Sequence, residues 1–84
     1  MSRQRVDRSA KDGQSLLRIG GNIRKIRKQR GYSQEEFADS AGFSRSYVTE
    51  IETGKRNISV LNLIKIVEAL NVDPNKIIGS LKPK

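Results

Sequence analysis

The sequence predicts an all-α domain of five helices. Three observations carry this expectation: apolar residues recur at three- and four-residue steps, capping residues and glycine stops punctuate that recurrence, and no strand-like alternation competes with it. A chain of 84 residues has room for one compact domain. Because only 35% of the residues are hydrophobic, the core is small and calls for reinforcement, for which oligomerisation is a ready source.

Residues 1–13 are polar apart from Met1, Val6 and Ala10, and read as a basic N-terminal arm that is disordered or only partly helical when free, with the folded domain spanning residues 14–84. Leu16, Ile19, Ile23 and Ile26 then mark one face of an amphipathic first helix, with Arg24, Lys25, Arg27 and Lys28 between them and a stop at Gly31. Gly20 and Gly21 blur where this helix begins. Ser33 followed by Glu36 fits a capping box, and Glu35 and Glu36 lie in the first turn, where the helix dipole favours acids, so a short second helix runs from Gln34 to Ala41. Gly42 breaks it, Ser44 caps a third helix beginning at Arg45, and Gly54 ends that helix just after Thr53. Ser59 caps a fourth helix whose wide apolar face carries Val60, Leu63, Ile64, Val67 and Leu70, and Asp73-Pro74 opens a fifth through Ile77 and Ile78.

Seventeen Lys and Arg stand against nine Asp and Glu, a net charge of +8 without any histidine, so a polyanionic partner is expected. The charge is unevenly spread. Residues 1–31 hold ten basic residues against two acids, residues 32–54 one against five, and residues 55–84 six against two. With no Cys and no His, thiolate and imidazole metal sites, a cysteine nucleophile, a His-based triad and disulfides are all excluded. No catalysis, cofactor or metal is expected. No apolar run approaches the roughly 20 residues that cross a bilayer, and no charged start leads into an apolar signal core, so a cytoplasmic protein without a membrane partner is expected.

Two short helices joined through a glycine and framed by further helices have the sequence shape of a helix-turn-helix, whose second helix enters the DNA major groove. At about 100° per residue, Tyr47, Val48 and Ile51 fall on one side of the third helix, and Arg45, Ser46, Thr49, Glu50 and Thr53 on the other. The polar side combines a guanidinium that suits guanine O6 and N7, hydroxyls that can meet any base, and a carboxylate that can accept from cytosine N4. Glu52 lies off this side and reads as a structural ion pair or hydrogen bonder.

These residues resemble the Cro and phage-repressor type of helix-turn-helix, also called the Xre family. The resemblance runs from about Ile19 to Ile78, through Ile23-Arg24-Lys25-Ile26-Arg27, Gly31-Tyr32-Ser33-Gln34-Glu35-Glu36-Phe37-Ala38, Gly42-Phe43-Ser44-Arg45-Ser46-Tyr47-Val48, Ile51-Glu52-Thr53-Gly54-Lys55-Arg56-Asn57 and Leu70-Asn71-Val72. Within the family, Arg45 to Thr49 together with Gly54 to Ser59 is most similar to the controller proteins of restriction-modification systems, which are small dimeric regulators. The resemblance implies a five-helix, lambda-repressor-like domain that binds double-stranded DNA and regulates transcription. It assigns base contacts to Arg45, Ser46, Thr49 and Glu50, and backbone contacts to Gln34, Tyr47, Lys55, Arg56 and Asn57. Ser46 stands where controller proteins usually carry Thr, and Thr53 where the family often has Arg or Asn, departures that bear on the operator sequence rather than the fold.

The C-terminal third carries more large apolar residues than one side of a small core needs. Leu61, Ile77, Ile78 and Leu81 read as ordinary core or as a two-fold interface, and the resemblance implies the interface, which would set two recognition helices about 34 Å apart on a pseudo-palindromic site. A promoter-bound dimer would block RNA polymerase or touch it. On sequence alone two other readings stay open: an antitoxin that neutralises a toxin partner, and a bridging module whose basic arm holds another protein.

Overall fold

A computed structural model describes residues 8–79, and these form five helices: α1 (Arg8–Gln29), α2 (Gln34–Ala41), α3 (Arg45–Glu52), α4 (Val60–Leu70) and α5 (Pro74–Ile78). No strand is present among the described residues. α1 packs on α3 and α5, and α2 on α3 and α4, so α3 is held from two sides. The centre of the domain is Ile23 of α1, Phe37 of α2, Val48 and Ile51 of α3, Ile66 and Leu70 of α4, and Ile77 of α5, all fully buried. Each such side chain contributes roughly 1.5–3 kcal/mol by leaving water.

The predicted caps form. Ser33 Oγ accepts from the Glu36 amide at 3.0 Å and Glu36 Oε1 accepts from the Ser33 amide at 2.8 Å, closing the capping box that starts α2. The Ser33 amide, and then its hydroxyl, hold the Glu36 carboxyl below its usual range. Gly42, at φ 76°, ends α2, and Ser44 Oγ accepts from the Tyr47 amide at 3.1 Å to start α3.

Three sequence expectations are altered. The helix begins at Arg8, so residues 8–13, read as part of the arm, belong to α1; extending an existing helix into solvent adds one bond per residue and needs no new nucleus. Arg27, read among the polar residues of the first helix, is buried at 6% exposure. On α4 the inward residues are Leu63, Ile66, Val67 and Leu70, while Val60 and Ile64, expected on the core face, are 74% and 47% exposed and join Leu61 at 71%. Because this helix is apolar nearly all round, periodicity alone does not choose its inner side.

The two adjacent glycines of α1 play opposite parts. A Cβ on Gly20 would run into the carbonyl oxygen of Ile51 and stand 2.9 Å from that of Glu52, so α1 and the end of α3 meet backbone to backbone here. Gly21 faces open space. Gly21→Ala is expected to raise stability by about 0.5–1 kcal/mol through helix propensity, whereas Gly20→Ala is expected to lower it by about 1–3 kcal/mol by pushing α1 off α3. Thermal unfolding of the two variants checks this, and the same sign for both would contradict the packing described.

Candidate nucleic-acid interface

A buried ion pair fixes the end of α3. Arg27 Nε donates to Glu52 Oε2 at 2.6 Å and Nη2 to Glu52 Oε1 at 3.1 Å, the two residues each 6% exposed. A third donor, Arg27 Nη1, reaches the Tyr32 carbonyl at 2.7 Å and ties the turn before α2 to the same point. Glu52 is thus the structural ion-pairing residue expected from sequence, and its partner is one of the four cations that lie between the apolar residues of the first helix. Arg27 lies four residues after Ile23, in line with the apolar stripe, and that spacing was the available signal.

With one side of α3 anchored by Val48, Ile51 and Glu52, the other side is left outward. Arg45, Ser46 and Thr49 are exposed on it, and the Glu50 side chain is 45% exposed. The first turn of α2 runs alongside: Gln34 Nε2 donates to Glu52 Oε1 at 3.2 Å, Gln34 Oε1 accepts from Thr49 Oγ1 at 3.4 Å, and Arg45 Nη1 lies 3.4 Å from Glu35 Oε1. Gln34, expected on the DNA backbone, is therefore half-buried and also joins α2 to α3. The Arg45–Glu35 pair is long and solvent-exposed on both sides, a weak contact that leaves the guanidinium available.

On the far edge the structure gathers Tyr47, Glu50 and Arg56. Arg56 Nε donates to Glu50 Oε1 at 3.0 Å while its guanidinium carbon sits 5.5 Å from the centre of the Tyr47 ring. That ring is half-buried against the edge of Phe43, with centroids 4.8 Å apart, and its hydroxyl accepts from Asn62 Nδ2 of α4 at 2.9 Å. Lys55, Arg56 and Asn57 are exposed in the loop beyond, which Gly54 admits by turning at φ 74° against the α1 backbone at Leu17. Glu35, read from sequence only as a first-turn acid of the second helix, and Asn62 join this surface through partners ten and fifteen residues away, Arg45 and Tyr47, which no local pattern reveals. The candidate surface thus brings Gln34 and Thr49, Arg45 and Glu35, and Glu50, Arg56 and Tyr47 into three neighbouring sets.

The expected dimer residues divide. Leu61 is exposed, Ile78 is half-buried, and Leu81 lies outside the described residues. Ile77, expected at the interface, is instead fully buried between α1 and the rest of the core, with its carbonyl held by Asn22 Nδ2 at 2.8 Å; its side chain closes the protomer itself.

Two capped short helices around a glycine turn, the second anchored behind and polar in front, define a helix-turn-helix protein. The helix-turn-helix family model matches residues 23–77, and the chain belongs to that family. Among its relatives, the control protein C.MunI of a Mycoplasma species is 36% identical over 79% of this chain and 90% of its own length, and the control protein C.BamHI of Bacillus amyloliquefaciens is 38% identical over 74% and 78%. Among solved structures, the restriction-modification controller protein C.AhdI from Aeromonas hydrophila is 39% identical with a TM-score of 0.72, covering 74% of this chain and 94% of that one.

Proposed function

We propose that this protein is a sequence-specific regulator of transcription that binds double-stranded DNA as a homodimer, in the manner of a restriction-modification controller protein, without catalysis. The observation that carries the reading is the two-sided character of α3: Val48, Ile51 and Glu52 hold it to the core while Arg45, Ser46, Thr49 and Glu50 are presented together on its outer side. Bases are read by that outer side. Gln34, Tyr47, Lys55, Arg56 and Asn57 flank it and meet the phosphates, which position the protein without carrying sequence information. The identities and coverage of the control proteins support this assignment. Among the described residues no helix is long and apolar enough to cross a membrane, which agrees with a regulator working in the cytoplasm.

The second copy is seated on α4. Val60, Leu61 and Ile64 form an exposed apolar group on one side of that helix, an arrangement that a small domain leaves uncovered only at a cost. Leu61→Lys is expected to leave each protomer folded, to halve the mass in solution, and to weaken binding to a two-half-site operator about a hundredfold by removing the tethering of one half to the other. Sedimentation analysis beside operator titration checks it, and an unchanged mass would overturn this placement of the interface.

Selection of bound sequences from random duplex at physiological salt tests the function as a whole. A two-fold related motif bound by two chains is the expected outcome. Recovery of no enriched sequence would overturn the reading.

A further inference from the structure

We infer that Asn62 is a positioning residue for DNA recognition, setting the Tyr47 hydroxyl as a hydrogen-bond donor toward the duplex. The inference rests on the DNA-binding reading above. Its starting point is the bond from Asn62 Nδ2 to the Tyr47 hydroxyl oxygen, 2.9 Å long and partly buried, which joins residues fifteen apart on different helices. A phenol has one proton to give and lone pairs to receive with. With the amide of Asn62 occupying the oxygen as a donor, the phenolic proton is directed away from Asn62. Phosphate oxygens only accept, so the orientation that Asn62 imposes is the one a DNA backbone requires.

The same tyrosine is the platform for the reading edge. Its ring carries the Arg56 guanidinium 5.5 Å from its centre, and Arg56 in turn holds Glu50 at 3.0 Å. Holding the ring through its hydroxyl therefore also steadies the cation over its face and the carboxylate beside that.

A double-mutant cycle on operator affinity tests this, using Asn62→Ala and Tyr47→Phe singly and together, with thermal unfolding of each variant recorded alongside. Asn62→Ala is expected to weaken operator binding about fivefold in the parent chain, as loss of one hydrogen bond does, and to change nothing further when the hydroxyl is already absent in Tyr47→Phe. Asn62→Asp keeps the size but turns the donor into an acceptor that captures the phenolic proton; it is expected to weaken binding more in the parent than in the Tyr47→Phe background, where only its charge remains. Equal losses in both backgrounds, or unchanged operator affinity for Asn62→Ala, would overturn the inference while leaving the functional reading intact. Failure of the unaltered chain to prefer any duplex sequence would instead overturn the functional reading, and the inference with it.

Discussion

Glu52→Ala is expected to cost about 3–5 kcal/mol of folding stability, because it leaves the Arg27 guanidinium buried without its carboxylate. Domains of this size hold about 5–15 kcal/mol in total, so the variant should be close to unfolding at ambient temperature. The same substitution removes the acceptor of the Gln34 amide, loosening the start of α2 from α3 as well. Glu52→Gln keeps one carbonyl oxygen for Arg27 and should be milder, by the difference between a charged and a neutral partner. Replacing both partners together, as Arg27→Met with Glu52→Leu, should restore most of the loss, since the cost lies in the stranded charge rather than in the absence of the pair. Denaturant unfolding of the four chains decides the matter. A Glu52→Ala unfolding free energy within about 1 kcal/mol of the parent would contradict the burial of the pair as described.

The second large effect is expected at Arg45. Its side chain is 65% exposed at the first turn of α3, and its contact with Glu35 is long enough, at 3.4 Å, to be exchanged for a base edge at little expense. Arg45→Ala should cost about 1–3 kcal/mol on the preferred operator and almost nothing on random duplex, flattening preference at one base position. Arg56→Ala should behave differently. Losing that cation removes a phosphate contact and leaves Glu50 unneutralised near the backbone, so affinity should fall on every sequence and the salt slope should drop by about one contact. Titrations of both variants against operator and random duplex at several salt concentrations separate the two roles, and equal losses on the two duplexes for Arg45→Ala would refute its assignment.

The helices and their caps were legible because each boundary is set locally: Ser33, Ser44 and Ser59 bond amides three residues on, and Gly42 and Gly54 supply positive φ where the chain turns. The two sides of α3 were legible for a similar reason, since eight residues with a clear polar and apolar division leave one way to dock. Arg27 was not, because charge outweighed position; only the partner across the core, twenty-five residues away, makes its burial tolerable. Gly20 reads from sequence only as a residue that blurs where the first helix begins, and is a place where the backbones of α1 and α3 meet, a fact that depends on where α3 ends. α4 offered apolar residues on nearly every side, and which of them face inward is decided by α2 rather than by the helix itself. Ile77 was misplaced for the converse reason, since a short terminal helix reads equally well as an interface or as a lid on the core.

Amide chemical shifts followed while operator duplex is added to the labelled chain test the central claim most directly. The claim predicts that the largest changes fall in Gln34 and Glu35, along Arg45 to Glu50, and through Lys55 to Asn57, with the far side of α1 and α5 little affected. Should the residues from Arg45 to Glu50 stay unperturbed while another surface responds, α3 is not the reading element, and the account is contradicted.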